Sequence, residues 1–359
     1  MSITIFSQSL NGEFDIEQFL ILKGYTEKVD INIKINKLSK IELSKINQDV
    51  LCPICRSQGS IIVKKTKLKQ AHFRFSNHKY FCDYNKSILK ELKTSRDIDF
   101  SKFRGKDRTA QTQIVRKLVA KGVEQGFFSQ KDIDEMRIYF YKSKEDSQFL
   151  MDVSKTKLDW FFYLKSLNYK HFSFIYNHFK PIYIDLPTFD WNEFAQYIFK
   201  KNNEKIIEKT SFLSFINIKV RQQIYEIIKS TENKLVFDVK DLYIPYKNTI
   251  ELTKIIVSAF SKSDKWVNSD IFLAFSALLL YISEWDVSIA VENFIYILNS
   301  PEPIDINEGN VIGLNPFYNF EAWLAISHIR EVVKENVDGF DFYKQLETIE
   351  RELKDKYES

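Results

Sequence analysis

A chain of 359 residues is long enough for two or three domains at the usual size of about 100–200 residues each. Hydrophobic residues make up 44% of the chain, which is enough to bury hydrophobic cores and excludes a disordered protein. Because only nine glycines and seven prolines interrupt the apolar stretches, we predict an α+β fold that is mainly α-helical with a small N-terminal β-hairpin module.

The net charge of +4 conceals a strong asymmetry along the chain. Residues 51–121 contain 18 Lys or Arg and 5 Asp or Glu, a net charge of +13, so the remainder carries −9. Such a concentration of positive charge predicts a polyanionic partner, and we favour nucleic acid. The alternative is that the basic segment docks on the protein's own acidic part or on an acidic partner protein.

The first 50 residues have the patterns of small secondary-structure elements. Ser2–Phe6 and Val29–Ile35 alternate as strands do, and Asp15–Leu22 has helical spacing. We expect this segment to pack beside the residues that follow and to complete an N-terminal module over residues 1–100.

All three cysteines of the chain, Cys52, Cys55 and Cys82, fall within residues 51–84. Cys52 and Cys55 form a Cys-x2-Cys knuckle, a spacing that lets two thiolates bind one tetrahedral ion. His78 and Cys82, four residues apart, form a second pair of ligands in a second turn. Cys and His ligands at these spacings predict a zinc site.

The residues between the two ligand pairs predict two short strands, Ile61–Val63 and Ala71–Phe75. A hairpin with ligands at its base describes a zinc ribbon, so we predict one structural Zn²⁺ ion without an open coordination position. The fourth ligand stays open between His78, which its spacing favours, and His72. The alternatives are three buried thiols without metal, or a disulfide, which the odd number of cysteines disfavours.

The motifs follow one another in a fixed order: Cys-Pro-Ile-Cys at Cys52–Cys55, a lysine-rich hairpin, Ala-His-Phe-Arg-Phe at Ala71–Phe75, then His78 and Cys82. In this order they resemble the N-terminal zinc module of the competence protein CoiA-like family, over about residues 45–95. That family is associated with bacterial DNA uptake and recombination, and many members continue into a restriction-endonuclease-like nuclease domain. The resemblance implies a zinc module and a DNA partner.

Two groups of cations are the candidate phosphate contacts. The ribbon contributes Lys64, Lys65, Lys67, Lys69 and Arg74. Residues 101–140 begin with a basic loop and continue into a helix that ends near Lys121; this second group comprises Lys102, Arg104, Lys106, Arg108, Arg116 and Lys117. Aromatic residues alternate with the cations around Arg74, and stacking beside phosphate contacts suits single strands.

A helical hairpin is predicted after the basic loop. Thr109 can cap a helix that runs to about Gly122, and Ser129 can cap a second helix that begins at Gln130. With Gly126 in the turn, the pair has the outline of a helix-turn-helix. The second helix is acidic at its N-terminus, the end that usually meets base edges, so the loop and the first helix are the better DNA contacts.

Residues 141–359 are predicted to form an acidic, aromatic-rich helical domain that docks a partner protein. The predicted helical segments are 145–167, 189–203, 213–230, 248–262, 320–337 and 340–356, and residues 264–300 are the most apolar part of the chain. The most apolar run, Ile271–Ile282, is shorter than the roughly 20 residues that span a bilayer, so we predict a buried core helix. The opening residues lack the features of a secretory leader. We therefore expect a cytoplasmic protein with no membrane partner.

One catalytic motif needs consideration, that of a PD-(D/E)xK nuclease. Leu235–Phe237 predicts a strand that ends in Asp238 and Lys240, and the nearest upstream acids are Glu226 and Glu232. An ordinary ion pair at a strand end is the interpretation that we favour.

The remaining histidines carry little evidence for catalysis. His171 and His178 are seven residues apart, as two histidines on one face of a helix would be, and His328 shows no partner in the sequence. No phosphate-binding loop and no nucleophile elbow is present. Enzymatic activity is therefore not predicted.

These observations predict a zinc-containing accessory protein that binds nucleic acid, in the first place DNA, in a bacterial DNA-processing, competence or anti-phage defence system. Two alternatives stay open: a divergent magnesium-dependent nuclease, and a protein-only adaptor subunit of a defence complex.

Overall fold

The protein is mainly α-helical, with three short antiparallel strand pairs in the part of the chain that the structure describes. The computed structural model describes residues 4–25, 38–62, 72–75, 77–79, 81–82, 110–231, 234–261, 266–267, 269–306, 309, 316–317, 319–336 and 339–358. The predicted fold class, mainly α with a small amount of β, is confirmed.

Short strands are concentrated near the N-terminus, and helices dominate the later parts of the chain. The first part contains β1 (Thr4–Ser7), β2 (Gly12–Asp15), α1 (Ile16–Leu22), α2 (Lys40–Gln48), β3 (Gly59–Ile62), β4 (His72–Phe75), α3 (Ala110–Glu124) and α4 (Gln130–Asp146). The middle part contains β5 (Gln148–Leu150), α5 (Lys155–Asn168), α6 (Phe174–Asn177), α7 (Trp191–Asn202), α8 (Glu204–Thr210), α9 (Ile218–Thr231) and β6 (Leu235–Phe237). The last part contains α10 (Tyr243–Ser258), α11 (Asp270–Ile282), α12 (Val287–Asn299), α13 (Phe320–Lys334) and α14 (Phe342–Tyr357).

The chain divides into two compact units. The first unit combines Met1–Ser147 with Asp241–Tyr318, and the second combines Gln148–Lys240 with Asn319–Ser359. Neither unit is a continuous stretch of chain, so both differ in outline from the three continuous domains that the sequence predicts.

The N-terminal part of the first unit is built on two hairpins. β1 pairs with β2, and β3 pairs with β4 so that Ile61 lies opposite Phe73. Ile61 and Phe73 share one buried core with Ile5, Phe19 and Ile46, which come from β1, α1 and α2. Residues 4–25 and 38–50 therefore pack beside the ribbon as predicted, and the two ribbon strands form where the sequence places them.

A buried ion pair joins α4 to β2. The side chains of Arg137 and Glu13 are each only 1% exposed and form a salt bridge. Glu13 also accepts hydrogen bonds from the Thr4 hydroxyl and, at 3.1 Å, from Gln130 Nε2. Burial removes hydration from both charged groups, so each depends on the other for stabilisation.

The helical hairpin of α3 and α4 forms as predicted. The Ser129 hydroxyl accepts a hydrogen bond from the Asp132 N–H at 3.3 Å, and the Asp132 carboxylate accepts one from the Ser129 N–H at 2.7 Å. This capping box starts α4 at the predicted residue. Gly126, in the turn before it, has a φ of 73°, which favours glycine.

The central helix of the first unit is α11. Every residue from Ile271 to Leu280 is buried, and α11 packs against α3, α4, α10 and α12. The predicted core helix is thus confirmed. No single helix among the described residues is both long and apolar enough to cross a membrane; α11 and α12 pass this test only as a pair, which bends by 114° at the break.

The second unit is helical around one short strand pair, β5 with β6. Its helices pack as pairs: α7 lies along α14, while α13 contacts α5 and α9. The predicted helix over 145–167 is wrong in its first third. Gln148–Leu150 pairs with β6, and α5 begins only after Ser154, whose hydroxyl caps it.

The prediction that His171 and His178 share one helix is also wrong. The only helical turn between them is α6, which has four residues, and His178 ends it. Pro181 follows, and the residue before it, Lys180, is extended with a φ of −130° and a ψ of 144°. Proline disfavours the helical conformation in the preceding residue, so a continuous helix cannot form here.

We expect Arg137→Met to lower the free energy of unfolding by about 3–5 kcal/mol, because it leaves the Glu13 carboxylate buried without its partner. Urea unfolding at neutral pH measures the change. The double variant Glu13→Gln/Arg137→Met, which removes both charges, should recover much of this loss.

The matched control is Lys201→Met, which breaks the exposed ion pair between Lys201 and Glu204. Exposed pairs contribute little, so this variant should unfold like the wild type. An Arg137→Met variant as stable as the control would contradict the role assigned to the buried pair.

Candidate metal centre

Two tight turns bring the ligands of the candidate metal centre together. In the first turn the Cys52 N–H donates to the Ser57 carbonyl at 2.8 Å, and the Arg56 N–H donates to the Cys52 carbonyl at 3.1 Å. In the second turn the Cys82 N–H donates to the Lys79 carbonyl at 3.1 Å. The backbone thus holds each ligand pair in a compact loop at one end of the β3–β4 hairpin.

The ligand atoms of Cys52, Cys55, His78 and Cys82 all lie within 4.8 Å of one another. The Sγ atoms of Cys52 and Cys82 are 3.7 Å apart, and His78 Nδ1 lies 3.6 Å from Cys55 Sγ and 3.5 Å from Cys82 Sγ. A tetrahedral ion with metal–sulfur bonds of about 2.3 Å and a metal–nitrogen bond of about 2.0 Å separates its ligand atoms by about 3.8 Å and about 3.5 Å. The four side chains therefore fit a metal ion.

The electrostatics of the three thiols favour a cation between them. All three cysteines are free and buried. Burial raises the pKa of Cys52 to about 12, whereas hydrogen bonds from the thiols of Cys52 and Cys82 lower the pKa of Cys55. Hydrogen bonds to the other two thiols, followed by burial, raise the pKa of Cys82. A bound metal ion would stabilise the thiolate form of all three cysteines.

Arg56 fixes the first turn to the rest of the unit. Its backbone is in the left-handed region with a φ of 58°, which is uncommon for a residue with a side chain. The guanidinium donates to the Pro53 carbonyl at 2.9 Å, forms a 2.6 Å salt bridge with Asp134 of α4 and lies 3.5 Å from the centre of the Phe6 ring. These contacts offset the unfavourable backbone conformation.

Aromatic rings cover the ligands on the side of α4. Tyr141 is buried in the same cluster as Cys52, Cys55 and Cys82. The Phe75 ring lies 5.1 Å from the His78 ring, centre to centre, and packs against this cluster. The ligands are thus shielded by apolar groups.

His78 occupies the fourth ligand position, as its spacing to Cys82 predicts. His72 is the first residue of β4. Its backbone is described, but its side chain lies outside the described part of the structure. Three sulfurs and one nitrogen complete a tetrahedral set without it. A set closed by four protein ligands leaves no position for a reactive water, which is the property of a structural site.

The structure describes three of the candidate phosphate contacts. Arg74 is exposed on β4, Arg116 is half-buried on α3, and Lys117 forms an ion pair with Glu302. The other candidates lie outside the described residues: Lys64, Lys65, Lys67, Lys69, Lys102, Arg104, Lys106 and Arg108.

Lys121, the last cation of the basic segment 51–121, does not belong to an exposed basic surface. Lys121 is buried, and its ammonium donates to the carbonyls of Leu298 and Ser300 at 3.2 Å and 2.6 Å. These carbonyls lie at the C-terminal end of α12, where a positive charge is favourable. Lys121 therefore stabilises the first unit and cannot contact a phosphate.

The nuclease motif forms a strand end, as the sequence predicts, but its lysine is paired. The Asp238 carboxylate accepts a hydrogen bond from the Lys240 N–H at 2.9 Å, and the Lys240 ammonium pairs with Glu331 of α13. Glu226 lies within α9, and Glu232 is not described. Of all His, Cys, Asp and Glu in the described ranges, only the Cys3His set forms a group suited to a metal ion.

His328, for which the sequence indicated no partner, contacts a carboxylate three residues along its own helix. Its Nδ1 lies 3.7 Å from a carboxylate oxygen of Glu331, one helical turn away. Burial, followed by the nearby Lys240 ammonium, lowers the pKa of His328. This histidine belongs to the ion-pair group around Lys240.

The part that α4 plays in the site is missing from the sequence-based predictions. Gln130, Asp134, Arg137 and Tyr141 recur every three or four residues, so they share one face of α4, and all four contact the N-terminal module. The spacing of these four residues in the sequence is that of one face of a helix. The polar side chains of this face made it resemble an exposed one, but each of them pairs with a residue more than 70 positions earlier in the chain.

Comparison of the chain with models of protein families, with curated proteins and with solved structures finds no match in any of the three.

We expect Cys55→Ser to abolish stoichiometric metal binding and to lower the melting temperature of the first unit. Metal binding contributes about 10–16 kcal/mol to folding in small zinc modules, so loss of one ligand should be strongly destabilising. Elemental analysis of the purified protein and thermal unfolding measure the two effects.

His78→Gln should have the same effect, whereas His171→Gln, at an exposed position in the second unit, is the matched control and should retain metal. Full metal content in Cys55→Ser or in His78→Gln would show that the ligand set is wrong.

Proposed function

We propose that the Cys3His group holds a structural zinc ion and that the module around it binds nucleic acid. The observation that carries the first part is the closed set of three sulfurs and one imidazole nitrogen at tetrahedral spacing. Thiolate and imidazole ligands favour zinc over magnesium and calcium, which prefer oxygen. A reducing cytoplasm, where thiols stay free, suits such a site.

The charge of residues 51–121 supports the second part of the proposal. Their net charge of +13 is spread over the ribbon, residues 85–109 and α3. Arg74, between the ring-bearing residues Phe73 and Phe75, is an exposed cation on the ribbon itself. Since Lys117 and Lys121 both meet Glu302, the contact is best assigned to the ribbon and the loop over residues 101–109.

The resemblance of residues 45–95 to the CoiA-like zinc module supports DNA as the nucleic acid. The role that fits is an accessory protein in a bacterial DNA-processing, competence or anti-phage defence system. The metal would order the ribbon, and the cations would hold phosphates, so the module would act by binding and not by catalysis.

We expect the triple variant Lys102→Glu/Arg104→Glu/Arg108→Glu to bind labelled DNA more weakly without a lower melting temperature. Each duplex phosphate contact contributes about −0.9 to the slope of log affinity against log salt, so losing three contacts should flatten the slope by about 2.7. Fluorescence anisotropy over a series of salt concentrations measures both quantities.

A matched triple variant controls for net charge: Lys205→Glu/Lys229→Glu/Lys254→Glu, at exposed helical positions. It should leave the slope close to that of the wild type. An unchanged slope in the first variant, or an equal change in both variants, would show that the basic loop is not the contact.

A further inference from the structure

A second group of cations and aromatic residues lies in the second unit, between α5 and α7. Residues 160–184 contain no Asp or Glu, and the stretch from Tyr169 to Lys180 reads YKHFSFIYNHFK. The proposed function does not use these residues. Their composition, cations beside rings, is that of a surface for an anion with flat ring systems.

Two rings of this stretch are largely exposed. Tyr169 is 63% exposed and Phe174 is 68% exposed. The Phe174 ring lies against the exposed His178 ring, with 4.2 Å between centres and 32° between planes. A large exposed apolar ring is unfavourable in water, whereas a base that stacks on it removes that surface from water.

Two lysines flank a third ring, that of Phe172. The ammonium groups of Lys170 and Lys200 lie 5.1 Å and 5.6 Å from its centre. Lys170 donates to Gln196 Oε1 at 2.6 Å, and Lys200 donates to the Lys170 carbonyl at 3.3 Å. These contacts hold two positive charges in place beside the rings, within reach of a phosphate backbone.

Buried aromatic residues support this surface from below. Tyr176 is buried; its hydroxyl donates to the Asp190 carbonyl at 3.3 Å and accepts from the Asp190 N–H at 3.0 Å. Phe179 stacks on Phe194 of α7 with 4.3 Å between ring centres. The segment is therefore anchored, although α6 is only one turn long.

The acidic groups of α7 lie at its N-terminal end. The Asp190 carboxylate caps that helix by accepting from the N–H groups of Asn192 and Glu193 at 2.8 Å and 3.2 Å. Lys200 and Lys201 lie in the last turn of the same helix. The cations and the acids of α7 are thus separated along its length, and Glu204, just beyond its last turn, pairs with Lys201.

We infer that the exposed rings and lysines of residues 169–180, with Lys200, form a binding site for single-stranded nucleic acid. Bases would stack on Phe174 and Tyr169, and phosphates would pair with Lys170 and Lys200. A duplex hides the faces of its bases, so the site selects single strands. This site adds to the proposed function a contact made by different residues in the other unit.

The test uses the full-length protein and a labelled oligothymidylate of about 20 nucleotides, long enough to cover one such surface. Phe174→Leu, which keeps an apolar side chain but removes the ring, should weaken binding at least about fivefold, the lower end of what one stacked base contributes. Phe174→Trp, which keeps a ring, should bind like the wild type.

Lys200→Glu should flatten the salt slope by about 0.7, the value for one phosphate of a single strand.

Two controls separate this site from the basic loop and from a hydrophobic protein-docking surface. Ile182→Ala removes another exposed apolar side chain, 70% exposed in the wild type, and should leave the affinity unchanged. Phe174→Leu should also leave duplex affinity unchanged, because the duplex would bind through the basic loop.

Loss of duplex binding in the loop variant, with single-strand binding unaffected by Phe174→Leu, would overturn this inference and leave the proposed function in place. Single-strand binding that depends on Phe174, together with duplex binding that does not depend on Lys102, Arg104 and Arg108, would support the inference and contradict the assignment to the loop. Equal single-strand affinities of Phe174→Leu and Phe174→Trp, or no binding by the wild type, would also overturn the inference, and would favour a protein partner for this surface.

Discussion

Three buried thiols and one imidazole converge within 4.8 Å in a module that has little else to hold it together. The ribbon strands β3 and β4 have four residues each, and seven of the described residues are buried in the core that they share with β1, α1 and α2. So small a core stabilises a fold only marginally, and short domains commonly depend on metals or disulfides. A cation between the thiols would remove their mutual repulsion and would cross-link two turns that are distant in sequence. The rest of the first unit then has a fixed surface on which to pack.

That surface is met by one face of α4. The face carries a buried arginine, a buried aspartate and a buried tyrosine, and each contacts a different part of the N-terminal module: β2, the first ligand turn and the ligand cluster. Buried polar contacts of this kind fix a specific arrangement, because a shifted helix would leave charges unpaired. They also bear on function. Since α4 is committed to this packing, the proposed DNA contact is assigned to the ribbon, to residues 101–109 or to the aromatic surface of the second unit.

Much of this arrangement could be predicted from the sequence where the signal is local. Neighbouring residues set the Cys-x2-Cys spacing and the short distance from His78 to Cys82. They also set the alternation of Phe73 and Phe75 with Arg74, and the Ser129 cap. The errors concern residues whose surroundings come from far away. In the sequence Lys121 resembles its basic neighbours. Only the structure shows that its ammonium contacts the C-terminal end of α12. The Gln148–Leu150 segment becomes a strand only because Leu235–Phe237 pairs with it.

The most direct test of the central claim is X-ray absorption at the zinc edge, together with the metal content of the purified full-length protein. We predict one zinc ion per chain, bound by three sulfurs at about 2.3 Å and one nitrogen at about 2.0 Å. A protein that carries no metal, or a spectrum dominated by oxygen ligands, would contradict a structural Cys3His zinc site, and with it the account of how the N-terminal module is stabilised.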